Sequence, residues 1–173
     1  MEFFEVINAR RSCRRFIEGG EVTDEQINRI LEAALLAPSG GNLQPWLFRV
    51  IRNQQTKDAL VPHAHKQKYI SQAPVVIAVI VEPERSARYG ERGTGLYCIQ
   101  DTAAAIEHIL LAATALGLGG VWIGAYEEQG VTEVLKLDEG QRPIALIPIG
   151  VPHEQGFRTR NRRPMEEVVS YDL

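Results

Sequence analysis

Residues suited to metal or disulfide sites are scarce in this 173-residue sequence. Its two cysteines, Cys13 and Cys98, form no C-x-x-C pair and share no metal-like spacing with the four histidines. This pattern argues against a zinc site or a disulfide framework, and it is typical of a reducing compartment. We therefore predict a cytoplasmic protein without a metal, in which both cysteines are packed core residues.

A strong charge imbalance and a long apolar run are also missing. The formal net charge is −3, so the overall charge does not call for nucleic acid or an anionic membrane as a partner. The longest apolar stretch, residues 109–121, is too short and too rich in glycine for a transmembrane helix. The N-terminus lacks the basic region followed by an apolar run that a signal peptide needs. We expect neither nucleic acid nor a membrane as a partner.

Motifs for side-chain catalysis and for dinucleotide binding are absent as well. The histidines are scattered, and His108, on a predicted helix, is interpreted as structural. No G-x-G-x-x-G follows a predicted strand, and the glycines within residues 90–95 have the wrong order and context. This argues against a Rossmann enzyme, and we identify no catalytic side chain.

The sequence does contain the periodicity of one globular domain, residues 1–173, with 45% hydrophobic and 24% charged residues. Thr23 and Gln26 form a capping box that opens a helix, and this helix stops before Pro38. Other predicted helices cover residues 54–61, 96–116 and 131–137, and predicted strands cover residues 46–51, 74–81, 121–123 and 143–151. These elements predict a layered α+β domain with a central sheet flanked by helices.

Residues 82–95 are polar and contain glycine, which predicts a loop that could be mobile. Its basic and aromatic residues are Arg85, Arg88, Tyr89 and Arg92. They could clamp a dinucleotide phosphate or act as a lid. A solvated loop is the favoured interpretation.

Two basic clusters lie near the two ends of the chain. The N-terminal cluster contains Arg10, Arg11, Ser12 and Arg14, and the C-terminal cluster contains Arg158, Arg160, Arg162 and Arg163. Guanidinium groups are forked, permanently charged donors that suit a phosphate. Each cluster alone could be merely solvated, but if the chain ends meet, one phosphate could satisfy both.

Two further segments carry groups suited to a flat heteroaromatic ring. In residues 38–46, glycines allow close approach and the side chains of Ser39, Asn42 and Gln44 can pair with a ring edge. A generic turn would explain the proline, glycines and asparagine, but not Gln44 and Trp46 at this spacing. In residues 117–124, small residues leave a slot beside the long helix, although a plain helix-to-strand turn is the alternative.

In their order and spacing, these segments together resemble the FMN-dependent nitroreductase family over nearly the whole chain. The matching pieces are R-R-S-x-R-x-F at residues 10–16, A-P-S-x-x-N-x-Q-P-W at 37–46, the alanine-rich helix after Asp101, L-G-L-G before W-I-G at 116–124, and R-x-R followed by Pro164 at 160–164.

The resemblance implies a three-layer α/β/α sandwich with a central mixed sheet, in an intertwined homodimer with FMN between the subunits. Much of the dimer core would come from the long helix. The implied phosphate and ribityl contacts are Arg10, Arg11, Ser12, Arg14, Arg160 and Arg162. The implied ring contacts from the other subunit are Pro38, Ser39, Gly40, Gly41, Asn42 and Gln44. Trp122, Ile123 and Gly124 would lie beside the isoalloxazine, with the Gly124 amide near N5 as electrostatic support.

The implied activity is ping-pong two-electron transfer from NADH or NADPH to a nitroaromatic, quinone or similar small acceptor. A non-enzymatic FMN-binding protein, or a variant with dehalogenase or flavin-fragmenting chemistry, remains an alternative. The chain departs from the family in three respects. Many members are longer, many carry side chains where Gly40 and Gly41 stand, and some carry an acid at Gly124. We therefore expect a more open site and do not transfer substrate preference.

Overall fold

The computed structural model describes residues 1–157 and 161–172. One four-stranded sheet runs through it in the order β1-β2-β4-β3. The strands are β1 (Trp46–Ile51), β2 (Val75–Val81), β3 (Gly119–Gly120) and β4 (Arg142–Gly150). All three strand pairs are antiparallel, and in the described part of the chain the one parallel pairing is an isolated bridge between Ser12 and Gly120. The parallel component of the predicted mixed sheet is thus confined to that bridge.

Helices lie on both faces of this sheet. They are α1 (Phe3–Ala9), α2 (Asp24–Leu35), α3 (Gln54–His63), α4 (Tyr69–Gln72), α5 (Gly90–Arg92), α6 (Cys98–Ala115) and α7 (Glu128–Leu135). Short 3-10 turns occupy Gly40–Asn42, Pro83–Tyr89, Glu154–Gly156 and Met165–Glu167, and a π-helical turn occupies Gly93–Tyr97.

Two hydrophobic cores, one on each face of the sheet, produce the three layers. Strand β2 alternates between them, because successive side chains of a strand point to opposite faces. Ile77 and Val79 face the core beneath α2 and α6, whereas Val76 and Ala78 face the core beneath α3, α4 and α7. Every residue of β2 is buried, as expected for a continuous β-branched run. The predicted three-layer α+β architecture is confirmed.

The capping box predicted before α2 is present. The Thr23 Oγ1 accepts from the Gln26 amide at 3.2 Å, and the Gln26 Oε1 accepts from the Thr23 amide at 3.0 Å. Reciprocal bonds of this kind satisfy amides that have no partner within the helix. The α2 face that carries Ile27, Ile30 and Ala34 is buried, so local signals placed this helix correctly.

Two predicted elements were wrong. Residues 82–95 do not form a polar loop, because helical turns continue from Pro83 to Tyr97 and lead directly into α6. The short strand predicted at residues 121–123 lies at Gly119–Gly120 instead, and beyond it only Ile123 forms a bridge, to Leu146. Periodicity failed at both places because glycines and short segments carry little pattern. No helix of the described residues has the length and apolar character needed to cross a bilayer.

Candidate active site

The two ends of the chain meet at a cavity of about 410 Å³. It is lined by Ile7, Asn8, Arg10, Arg11, Ser12, Arg14, Glu107 and Arg162. All four residues proposed in the N-terminal cluster are present, together with Arg162 of the C-terminal cluster. Arg158 and Arg160 lie outside the described residues. The arrangement concentrates guanidinium donors and one hydroxyl around a space larger than a single phosphate.

Backbone contacts hold the N-terminal part of this cavity against β3. The Cys13 amide donates to the Gly120 carbonyl at 2.9 Å, and the Arg14 amide donates to the Gly156 carbonyl at 3.1 Å. A Cβ added at Gly119 would lie 2.7 Å from the Cys13 Cβ, so only glycine permits this approach. The guanidinium groups therefore project from a backbone that is fixed on both sides.

Cys13 itself is part of the packing. Its side chain is buried, and its thiol donates to the Arg15 carbonyl at 3.2 Å. Burial raises the pKa of the Cys13 thiol, and this effect outweighs the lowering by the nearby Arg14 charge. Cys98 is buried as well, so the predicted packing role of both cysteines is confirmed. His108 also makes a structural contact, from its Nδ1 to the Ala33 carbonyl at 2.8 Å.

One carboxylate shares the cavity with the arginines. Glu107 of α6 lies with its Oε1 3.7 Å from the Nε of Arg10. No sequence signal marked Glu107, because its position depends on α1 packing against α6. Glu107 holds Arg10 toward α6 and competes with any anionic ligand in the same cavity.

The second predicted segment forms a tight turn from Ser39 to Gln44. The Ser39 hydroxyl accepts from the Gln44 amide at 3.0 Å, and the Gln44 Nε2 donates to the Asn42 carbonyl at 3.2 Å. Gly41, Asn42 and Gln44 all have positive φ values, at 58°, 58° and 48°. Pro38, Gly41 and Asn42 are exposed. The turn is thus strained and accessible, with several of its polar groups already bonded within it.

A buried carboxyl group supports this turn from α6. The Gly40 amide donates to the Asp101 Oδ1 at 3.1 Å, while the Asp101 Oδ2 is buried and has no partner among the described residues. Burial raises the pKa of Asp101, and the hydrogen bond from Gly40 opposes that rise. In the sequence, Asp101 stands only as the residue before the alanine-rich helix, and no local pattern indicates its contact with Gly40.

The helical segment Pro83–Tyr97 covers the outer side of the same turn. A Cβ added at Gly41 would lie 2.4 Å from the Arg88 Nη2 and 2.6 Å from the Tyr89 hydroxyl. The Arg88 guanidinium lies 4.7 Å from the Tyr89 ring centroid, and the Tyr89 and Tyr97 rings meet edge to face at 5.6 Å. The segment is therefore packed through aromatic and cation–π contacts rather than merely solvated.

The third predicted segment lies beside the cavity. The bridge between Ser12 and Gly120 brings the end of β3 next to the N-terminal cluster. Trp122 is 38% exposed and Gly124 is exposed, whereas the Ile123 side chain is buried in the core beneath α7. Trp122 and the Gly124 backbone face solvent and can meet a ligand. Ile123, predicted as a ring contact, offers neither its buried side chain nor its backbone polar groups, because its N–H and C=O both bond to Leu146 at 3.0 Å.

The structure thus joins some predicted site residues and leaves others apart. The N-terminal cluster, Arg162 and the segment after β3 adjoin one another. The turn Ser39–Gln44 does not line the cavity. Within the described residues there is no group of three or more His, Cys, Asp or Glu side chains that could hold a metal ion.

Comparison with known proteins gives a consistent result. The family model described as Nitroreductase family matches residues 7–71 and 64–151. The structure of a nitroreductase family protein from Clostridium novyi NT aligns with a TM-score of 0.82 at 30% identity, covering 92% of this chain and 89% of that one. The structure of the NADPH:FMN oxidoreductase from Vibrio harveyi, solved with NAD+, aligns with a TM-score of 0.88 at 28% identity, and the alignment covers 99% of this chain and 77% of that one. The oxygen-insensitive NADPH nitroreductase of Salmonella typhimurium is 32% identical over 173 residues, which cover 95% of this chain and 71% of that protein.

The fold shared with these structures places the chain in the class of α+β oxidoreductases to which they belong. Because the family match spans most of the chain, the chain belongs to the nitroreductase family and is an oxidoreductase. The resemblance inferred from the sequence motifs is confirmed.

Proposed function

We propose that residues 1–173 form one FMN-binding domain that works as a homodimer. In this proposal the enzyme oxidises NADH or NADPH and reduces a nitroaromatic, quinone or similar small acceptor in a ping-pong cycle. The observation that carries the proposal is the cavity that gathers cationic side chains from both ends of the chain. Glu107 offsets the charge of Arg10, but the lining also holds Arg11, Arg14 and Arg162, so an anionic ligand would relieve the repulsion that remains.

The cavity fits the phosphate of FMN in charge, donor type and size. Arg10, Arg14 and Arg162 supply charge-assisted donors and Ser12 supplies a hydroxyl. The cavity volume of about 410 Å³ leaves room for part of the ribityl chain beside the phosphate. Arg11 and Arg160 complete the proposed set.

The ring would extend from the cavity toward the segment after β3. Trp122 and Gly124 are exposed there, and an added Cβ at Gly124 would find only the Trp122 Nε1 at 3.8 Å within contact range. The open space leaves the Gly124 backbone accessible to a flat ring. We propose that Trp122 and the Gly124 backbone contact that ring.

A homodimer would bring the turn Ser39–Gln44 to the same ring. The turn does not line its own chain's cavity, yet its exposed groups suit a ring edge. Large apolar side chains are also exposed on and near α1 and α2, including Phe3, Phe4, Leu35 and Leu36. Such surfaces are typical of subunit interfaces, and α6 offers alanines that allow another helix to approach. We propose that Pro38, Ser39, Gly40, Gly41, Asn42 and Gln44 serve the partner's site.

The chain's own residues would act by binding and orientation. When bound, FMN supplies the two-electron chemistry that accepts hydride from the nicotinamide and reduces the acceptor. The arginines hold the phosphate, and the exposed Trp122 side bounds the ring pocket. Donors such as the Gly124 amide favour negative charge where it develops. No acid–base side chain is needed for this division of labour.

The test is the visible spectrum of the purified protein, recorded without oxygen before and after addition of NADH and, separately, NADPH. We expect flavin bands that bleach with at least one nucleotide and return when menadione or nitrofurazone is added. Bands that never bleach with either nucleotide would favour a non-enzymatic flavin-binding role. A protein that binds no FMN after reconstitution would contradict the proposal.

A further inference from the structure

The turn Ser39–Gln44 adopts a backbone conformation that is unfavourable for an isolated peptide. Three of its residues have positive φ, and two of these, Asn42 and Gln44, are not glycine. Each such residue costs about 1 kcal/mol or more and persists only when the surroundings hold it in place. The contacts that hold this turn therefore determine which polar groups it presents.

Contacts of different strength hold the turn. The bond between the Ser39 hydroxyl and the Gln44 amide is internal to it. From outside, the Arg85 Nε approaches the Leu43 carbonyl at 3.4 Å, a long contact from an exposed side chain. The Asp101 Oδ1 accepts from the Gly40 amide at 3.1 Å, and Asp101 is only 8% exposed. Asp101 is thus the buried anchor that ties the turn to the longest helix.

Burial of the Asp101 carboxyl group also carries a cost in folding free energy. A buried carboxyl group loses hydration, and an oxygen without a partner adds to that cost. Its Oδ2 has no partner among the described residues. The partner of Asp101 among the described residues is the Gly40 amide, so the contact with the turn accounts for a carboxyl group at this position.

We propose that Asp101 is a positioning residue that sets the turn Ser39–Gln44 for the flavin ring by holding the Gly40 amide. The inference rests on the proposed function, because it concerns the ring side of that site. It assigns the Gly40 N–H to the protein rather than to the ligand. The ring then meets a preset turn whose remaining groups, such as the Asn42 side chain, are exposed.

The role requires an acceptor, not a negative charge. Asp101→Asn keeps a carbonyl oxygen for the Gly40 amide, whereas Asp101→Ala leaves that amide without its partner. We expect Asp101→Ala to weaken flavin binding about tenfold and to shift the visible bands of the bound flavin. We expect Asp101→Asn to stay within about threefold of the original protein.

Riboflavin separates the ring side from the phosphate side, because it carries the ring without the phosphate. If Asp101 acts on the ring, Asp101→Ala weakens FMN and riboflavin binding by the same factor. Thr102→Val is the matched control. It removes a buried hydroxyl on the next residue, whose partners among the described residues are the Cys98 and Ile99 carbonyls of its own helix. The control tests whether any polar loss in α6 has the same effect.

Gly40→Pro removes the same N–H, and Ser39, at φ −143° and ψ 152°, already has the extended conformation that precedes proline. The proline Cδ would take the place of that N–H and meet the Asp101 Oδ1, which accepts from the Gly40 amide at 3.1 Å, so this variant is compared only in the Asp101→Ala background. There, Gly40→Pro should cost little further affinity for either flavin, since the hydrogen bond is already lost. If Asp101→Ala proves too unstable to purify, Asp101→Leu removes the acceptor while filling its volume and must weaken the binding of both flavins.

The outcomes separate the two proposals. An original protein that binds neither flavin refutes the proposed function. If the unsubstituted protein binds both flavins and Asp101→Ala matches Thr102→Val in affinity and spectrum, the positioning role is overturned. The proposed function is then left intact. Loss of FMN affinity alone, with riboflavin unchanged, would also overturn it, because Asp101 would then act on the phosphate side. Equal losses in Asp101→Ala and Asp101→Asn would show that an acceptor is not what matters.

Discussion

The cationic cavity and the turn Ser39–Gln44 use their polar groups in opposite ways. In the cavity, the backbone is tied down and the side chains of Arg14 and Ser12 point into open space. In the turn, the amides of Gly40 and Gln44 and the Ser39 hydroxyl are already bonded within the protein. The cavity can therefore increase the affinity for an anionic ligand through charge, whereas the turn can contribute a fixed surface that complements the ligand in shape. Substitutions should separate these two contributions.

The largest effect should come from the joint between the cavity and the sheet. In Gly119→Ala the new Cβ would meet the Cys13 Cβ at 2.7 Å, so the N-terminal cluster must move. We expect a loss of about 3 kcal/mol in the free energy of unfolding and weaker FMN binding, measured by thermal unfolding and flavin titration. Gly95→Ala is the control, since nothing lies within 4 Å of its added Cβ. Equal stability of the two variants would contradict the packing seen here.

Removal of a charge from the cavity should come next. Arg14→Ala should weaken FMN binding by about 2 kcal/mol, or roughly 30-fold, and leave riboflavin binding nearly unchanged. Hydride transfer in the flavin-loaded fraction should change less than affinity does. Arg15→Ala is the neighbouring control, because Arg15 is exposed and its Nη1 bonds to the Gln155 Oε1 at 2.6 Å outside the cavity. If flavin titration shows no difference between the two variants, Arg14 does not bind the phosphate.

A smaller effect should appear in the turn. Gly41→Ala places a Cβ at a residue with φ of 58° and pushes the ends of Arg88 and Tyr89 aside. These flexible ends can move, so mainly the backbone strain of about 1 kcal/mol remains. That loss should lower the melting temperature by about 3 °C. Gly40→Ala, with its nearest neighbour at 3.7 Å, should change the melting temperature less. The reverse order would mean that the turn differs in solution.

The smallest change should be a gain. Glu107→Gln removes the carboxylate beside Arg10 and frees that guanidinium for an anionic ligand. Because both side chains are partly exposed, we expect an effect of about 0.5 kcal/mol, or roughly twofold tighter FMN binding. Riboflavin affinity, measured in parallel, should not change. Weaker FMN binding in this variant would show that Glu107 orients Arg10 productively rather than competing with the phosphate.

Local signals predicted much of the fold. The capping box at Thr23, the β-branched run of β2 and the periodicity of α2 depend on residues a few positions apart, and all three were confirmed. The segment Pro83–Tyr97 was predicted wrongly as a loop from the same kind of local signal. Its helical turns are held by contacts between aromatic and arginine side chains, and polar composition alone does not reveal such contacts.

The site divides along the same line. The motifs led to Arg10, Ser12 and Arg14, and the cavity brings these residues together with Arg162. Glu107 and Asp101 were not predicted as site residues, because each acts through a contact with a residue distant in sequence. Gly40 lies 61 positions from Asp101, and no local pattern encodes that distance.

The amino-acid sequence by itself determined the family and most helices and strands, and it selected the residues that carry charge toward an anion. Periodicity, capping and motif spacing are sufficient for these conclusions because they depend on neighbours along the chain. Only the tertiary structure decided that the two ends of the chain meet, that Glu107 enters their cavity, and that Asp101 holds the Gly40 amide. These features arise where separate elements pack across the sheet, and packing depends on the shapes of surfaces that the linear order of residues does not display.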